Sequence, residues 1–176
     1  MSFDRLNHVV SVLETHKKSL IEYFSTKDIQ FSDNDYSANR YANKEVLYYD
    51  YLIPNLDIDH EILKEIASYS YVTFINYSAF LPGMHLFRHI DPSPADKNYQ
   101  QLHLHREFFG DPDYRRVHLP IVDSTDDCYM IFDGEKYSWK RGEIQIFNVN
   151  KFRHEVFNQS DQTFYLLMID VLVGKE

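Results

Sequence analysis

The chain has 176 residues, 44% of them hydrophobic and 16% aromatic, which is enough to bury the core of one domain and excludes a disordered composition. Its net charge of −9 argues against nucleic-acid backbone binding, which requires a basic face. A single cysteine, Cys128, excludes an internal disulfide and points to a reducing compartment or to indifference to redox.

The first segment, "FDRLNHVVSVLETHKKSLIEYF" (3–24), spaces Leu6, Val9, Val10, Leu13, Leu20, Ile21 and Phe24 on one helical face and predicts an amphipathic helix. It holds His8 and His16, and with His60 on the next helix these are expected to face solvent. No apolar leader and no stretch approaching the ~18 apolar residues of a membrane span is present, so a cytoplasmic protein with no membrane partner is expected. A polar, irregular stretch follows. "EVLYYDYLI" (45–53) reads as a strand and "DHEILKEIASYS" (59–70) as a short helix with an acidic cap at Asp57 or Asp59.

From Tyr71 the period changes to two. "YVTFINYSAFL" closes at Pro82-Gly83, and "HLFRHI" leads into a polar, proline-bearing segment, 92–113. "RRVHLPIV", "CYMIF", "KYSW", "EIQIFN", "HEVFN" and "TFYLLMIDVLV" then alternate with turns at Asp133-Gly134 and Arg141-Gly142. About eight short strands behind helices predict a mainly β, jelly-roll or cupin-like barrel. The chain reads as one domain, with residues 1–70 a helical support and 71–172 the barrel. Segment 92–113 is expected to form a lid.

"MHLFRHIDPSP" carries His89 and Asp91, two apart and therefore on one face of a strand. A chain with 9 histidines should contain roughly one H-x-D by chance, so the pair needs a distant partner to mean anything. His154, at the start of the late strand "HEVFN", is that partner. Two imidazoles and one carboxylate with open positions form the ligand set of non-heme iron(II) oxygenases. A rival set, His103, His105 and Glu107 in "QLHLHREFF", sits inside the polar insertion and also reads as part of a surface ribbon or lid. His85 shares the parity of His89 and reads as a rim residue. His118 shares a face with Arg116, an unusual pair for a plain core, although a satisfied core histidine is the simpler reading.

The order "YSAFLPGMHLFRHID", "RRVHLPIV", "CYMIFDGEKYSWKRGEIQIFNVNKFRHEVFNQS", "LLMIDV" resembles the aspartyl/asparaginyl β-hydroxylase family, which includes bacterial cis-proline hydroxylase-like enzymes. The resemblance covers about residues 71–172. It implies a double-stranded β-helix fold, iron(II) held by His89, Asp91 and His154, and 2-oxoglutarate and O2 as cosubstrates. It further implies that Ser78, Arg116 and His118 contact 2-oxoglutarate, and that Trp139, Gly142 and Glu143 belong to a structural turn. Some relatives, halogenases among them, have glycine at the position of Asp91, so the carboxylate points to hydroxylation. One position departs from the pattern: ten residues after His154, where the family pairs an arginine with the far carboxylate of 2-oxoglutarate, this chain has Phe164. Alternation along "TFYLLMID" puts Phe164 with Leu166 and Met168 in the barrel interior.

The implied activity is hydroxylation of a small, amino-acid-like substrate. The alternatives are an inactive, metal-binding sensor or binding module, or a metal-dependent cupin isomerase or dioxygenase that uses no 2-oxoglutarate. The oligomeric state and the identity of the substrate are not legible in the sequence.

Overall fold

The computed structural model describes residues 4–31, 42–44, 46–50, 60–91 and 113–173. Helix α1 spans Arg5–Thr26 and helix α2 spans Glu61–Ser68. The strands are β1 (Val46–Asp50), β2 (Val72–Phe80), β3 (Met84–His89), β4 (Asp113–Pro120), β5 (Cys128–Phe132), β6 (Glu135–Tyr137), β7 (Gln145–Phe147), β8 (His154–Asn158) and β9 (Phe164–Val173). They form two antiparallel sheets, one in the order β1-β2-β9-β4-β7 and one in the order β3-β8-β5-β6. The interleaving of early and late strands is that of a double-stranded β-helix, the cupin or jelly-roll architecture predicted from the alternation.

Local chemistry explains the element ends. Asp4 caps α1 by accepting from the Asn7 backbone N–H at 3.1 Å. The β5–β6 hairpin turns through Asp133 and Gly134, both at positive φ (50° and 91°), the left-handed pair that a two-residue turn between twisted strands requires. Helix α2 begins after His60, whose side chain makes no capping bond, and the acidic cap predicted at Asp57 or Asp59 is not tested by this. Asp57 and Asp59 lie outside the described residues.

The period-two pattern of β9 divides the molecule into two cores. Leu167, Ile169 and Val171 face outward and pack with Val9, Leu13 and Leu20 of α1, Leu63 and Ile66 of α2, and Val117 and Leu119 of β4. Phe164, Leu166 and Met168 face inward, between the sheets, with Phe80, Met84, Met130, Trp139, Phe147 and Val156. Phe164 is therefore interior, as the alternation predicts. The three helix histidines expected to face solvent do not. His8 is half-buried and hydrogen-bonded to the Tyr71 hydroxyl at 2.6 Å, His16 is half-buried, and His60 packs edge-on against Tyr23. His8 lies where α1 meets the approach to β2, and His60 lies against α1 at the start of α2, so polar positions of one helix meet another element. Among the described residues no helix is long and apolar enough to cross a membrane.

Candidate metal centre

The two sheets bring different residues to the same end of the barrel interior. The four-stranded sheet supplies His89, at the end of β3, and His154, at the start of β8, and the two are paired in register. Strand β3 stops at His89, yet the chain stays in place because the Asp91 N–H donates to the Val149 carbonyl at 3.0 Å. This holds the Asp91 carboxylate against both histidines. Its Oδ1 lies 3.2 Å from Nε2 of His89 and 3.4 Å from Nε2 of His154. The ligand atoms of the three residues all lie within 4.8 Å of one another.

Both histidines are oriented by their other nitrogen. Nδ1 of His89 donates to the Phe87 carbonyl at 2.6 Å, and Nδ1 of His154 faces the Phe152 carbonyl at 3.4 Å. With the proton on Nδ1, each Nε2 presents its lone pair to the centre, the arrangement that metal-binding histidines use. Three donors at right angles around an ion with bonds of about 2.1 Å stand about 3 Å apart. The two distances to Asp91 fit that spacing. The donor set and its geometry therefore suit a divalent first-row metal with open positions.

The five-stranded sheet faces this triad with charge. Arg116, on β4, donates from Nη1 to Oδ2 of Asp91 at 2.5 Å. Its Nε and Nη2 form a bidentate pair with Asp170 on β9, at 2.7 and 2.8 Å, across the Arg116–Asp170 register of the two strands. Burial alone would raise the Asp91 carboxyl, but the Arg116 charge outweighs it and holds it well below the usual carboxylate range. Burial would likewise lower Arg116, yet Asp170 and Asp91 hold it well above its ordinary value, so the guanidinium stays charged. For His89 the burial is offset by Asp91 and the Phe87 carbonyl, and its value is raised.

His118 stands on the same face of β4 as Arg116. Burial, with the charges of Arg116 and His154 nearby, holds it well below the usual histidine range, so the ring is neutral. Trp139 Nε1–H donates to its Nδ1 at 3.2 Å, which places the His118 proton on Nε2. Ser78, on β2, is buried and donates to the Asn76 side chain on the same inner face. Phe164 is 3% exposed and stacks on Trp139 at 4.8 Å, so the position implied to hold a guanidinium is filled by a ring.

The structure thus joins His89, Asp91, His154 and Arg116 directly and sets His118 beside them. Ser78 is engaged elsewhere, two strand positions from Asn76. His103, His105, Glu107 and residues 92–112 of the proposed lid lie outside the described residues. His85 is turned away from the centre: its Nε2 meets Glu155 at 2.6 Å and its ring stacks on Phe157. Asp170 was missed by sequence reasoning. The available signal was a lone acid inside the apolar run "LLMIDVLV", on the inward parity of Phe164, Leu166 and Met168. Trp139 was read as packing only, and its N–H to His118 adds a second role.

No curated protein matches the chain in sequence. Solved structures with a similar fold include a predicted oxalate decarboxylase from Thermotoga maritima (12% identity, TM-score 0.49, covering 82% of this chain and 100% of that one). Another is the cupin 2 domain of an XRE family transcriptional regulator from Enterobacter cloacae (11% identity, TM-score 0.43, 73% and 97% covered). A cupin 2 conserved barrel domain protein from Salinispora arenicola is a third (13% identity, TM-score 0.40, 83% and 89% covered). These likenesses are too remote to speak to activity. The family model for aspartyl/asparaginyl β-hydroxylase, however, matches residues 58–173, which span both sheets from β2 to β9 and every residue of the candidate centre. With two-thirds of its length covered, the chain belongs to the aspartyl/asparaginyl β-hydroxylase family.

Proposed function

We propose that this protein is an iron(II)- and 2-oxoglutarate-dependent oxygenase that hydroxylates a C–H bond of a small substrate, an amino acid or a derivative of one. The observation that carries the reading is the convergence of two Nε2 atoms, at 3.2 and 3.4 Å, on one oxygen of Asp91 while the other oxygen is held by Arg116. Iron(II) bound by such a triad would supply the redox chemistry by which O2, 2-oxoglutarate and a substrate C–H group give succinate, CO2 and the hydroxylated substrate, one oxygen atom going to each organic product.

The chain's own residues provide the setting. His89, Asp91 and His154 would hold the ion through three donors and would leave its other positions for ligands. Nε2–H of His118 and the two Arg116 N–H groups not used by Asp91 and Asp170 are polar donors that could meet an anionic ligand. Phe132, Phe147 and Val149 line the interior beside them and exclude water. A lone buried thiol and a net charge of −9 suit a cytoplasmic enzyme acting on a small molecule rather than on nucleic acid.

Phe164 favours a second reading, a metal-binding cupin of the same family that does not use 2-oxoglutarate. Succinate release from 2-oxoglutarate under iron(II) and O2 separates the two. The oxygenase reading expects succinate in the wild type and none in His154→Ala, which should also lose iron(II) binding while keeping its circular dichroism. Iron binding without succinate, across a panel of amino acids, supports the second reading. Full iron binding by His154→Ala refutes the site itself.

A further inference from the structure

The carboxylate of Asp91 has two oxygens with different tasks. Oδ1 faces both histidines, and Oδ2 accepts from Nη1 of Arg116. The terminal torsion of an aspartate is broad and roughly two-fold, so its oxygens are equivalent unless something ties one of them. Arg116 ties Oδ2. An arginine side chain is itself flexible, and here it is fixed by Asp170, which accepts from Nε and Nη2 in a fork.

Asp170 is 0% exposed. A carboxylate taken wholly out of water costs several kcal/mol and is tolerated only when paired. A leucine or methionine would fill this inward position of β9, as Leu166 and Met168 do two and one turns of the pleat away, without that cost. The chain has an acid there instead. The charges add to the case. With neutral histidines, Asp91, Arg116 and Asp170 sum to −1, which attracts a dication; without Asp170 the sum is zero, and the guanidinium stands uncompensated beside the incoming charge.

We infer that Asp170 is a positioning residue for the metal centre: acting through Arg116, it fixes Asp91 with one oxygen toward both histidines and offsets the guanidinium that borders the bound ion. This rests on the reading that His89, Asp91 and His154 hold a metal. Asp170 is not one of these three, and the fork it forms with Arg116 is the link to them.

The test uses cobalt(II) as the probe, titrated into the metal-free full chain and followed by its visible absorption, with thermal denaturation of each metal-free protein alongside. Wild type should bind one equivalent, and His154→Ala none. Asp170→Asn keeps the shape but turns an acceptor into a donor facing Nη2–H of Arg116. It should bind cobalt 10–100-fold more weakly, the range for residues that orient metal ligands, and its absorption bands should shift. Arg116→Lys keeps a positive charge but cannot bridge both carboxylates through a fork, and should show the same weakening and shift even where Asp170→Asn fails to fold. Wild-type affinity and wild-type bands in the folded variants, with only the melting temperature lowered, overturn the inference and leave the metal reading standing. Absence of cobalt binding in wild type, or binding indifferent to His154→Ala, overturns the metal reading and this inference with it.

Discussion

Phe164→Arg restores the residue that the family resemblance places ten positions after the distal histidine, and the structure sets its cost. The Phe164 ring is 3% exposed, stacks on Trp139 at 4.8 Å and 24°, and meets Phe80 at 6.1 Å. Removing it forfeits about 1.5–3 kcal/mol of apolar burial and about 0.5–1.5 kcal/mol of aromatic pairing. The guanidinium then sits among apolar side chains, and an uncompensated buried charge costs about 3–5 kcal/mol. The arginine stem recovers part of the lost burial, so the net loss is about 4–6 kcal/mol against a total stability of about 5–15 kcal/mol. At about 2–4 °C per kcal/mol for a chain of this size, the melting temperature of the metal-free variant should fall by roughly 10–20 °C. The assay is thermal denaturation of wild type and variant, manganese-loaded, with and without saturating 2-oxoglutarate. A ligand whose far carboxylate reaches residue 164 should return more stability to the variant than to wild type, about 2.7 kcal/mol at a hundred times its Kd. A variant as stable as wild type without ligand refutes the placement of Phe164 in a closed apolar interior. Equal ligand effects in both refute the idea that a carboxylate lies against this position.

Trp139→Phe keeps a ring against Phe164 but leaves Nδ1 of buried His118 without its donor, and should cost about 1–3 kcal/mol in urea denaturation. His118 is held neutral by burial and the neighbouring charges, whereas the unfolded chain takes up that proton near pH 6.5. The unfolded state then binds more protons, so stability should fall as pH drops below 6.5, by up to about 1.4 kcal/mol per pH unit for this group; the slope in His118→Gln should be shallower by that amount. Burial pushes the Cys128 thiol up to about 12, so it should resist a thiol reagent at pH 8 in the native protein and react fully in denaturant, as a timed labelling assay reads. Gly142 has φ +73°, and an added Cβ meets Cδ1 of Ile21 at 3.2 Å, so Gly142→Ala should destabilise by roughly 1–3 kcal/mol.

Much of the barrel was legible because its signals are local. "CYMIF" and "HEVFN" coincide with β5 and β8, since alternation and the flanking turns fix both ends. The Asp133-Gly134 hairpin follows from two residues that accept positive φ. The candidate triad was legible for a mixed reason: His89 and Asp91 share a face by spacing, His154 stands where a late strand begins, and the resemblance then matched all three. What escaped depends on pairing between distant segments. Asp170 gains its meaning from lying opposite Arg116 across β4 and β9, 54 residues apart in sequence. Nothing near Asp170 announces that partner. His8 and His60 were misjudged for the same reason, because a polar helix position looks solvated until the seam that covers it is known. The resemblance assigned Arg116 to the cosubstrate, but three of its donors are already engaged by carboxylates of this chain.

The division into two cores explains how this interior tolerates so much polarity. A single sandwich core carrying a charged triad, a buried histidine and the Asn76–Ser78 pair would give up much of the apolar burial that stabilises a small domain. Here the outward face of β9 and β4 packs on α1 and α2, and Leu13, Leu20, Leu63, Ile66, Ile169 and Val171 are essentially inaccessible in that second layer. Stability therefore draws on a core that does not include the candidate centre. Within the barrel, the inward side of β9 grades from Phe164 through Leu166 and Met168 to Asp170, so the apolar side chains gather at one end and the charges at the other. Water is kept from the apolar end by packing, and the charged end borders the candidate triad, whose side chains retain some exposure at 11% for His89 and Asp91. A ligand that reaches the centre enters where the charges can meet it, and whatever part of it extends inward meets rings and methyl groups. The helical support is thus coupled to the candidate centre through the shared barrel: weakening the seam between α1 and β9 should unfold the centre together with the barrel, although the described apolar core of that seam contains none of the centre's residues.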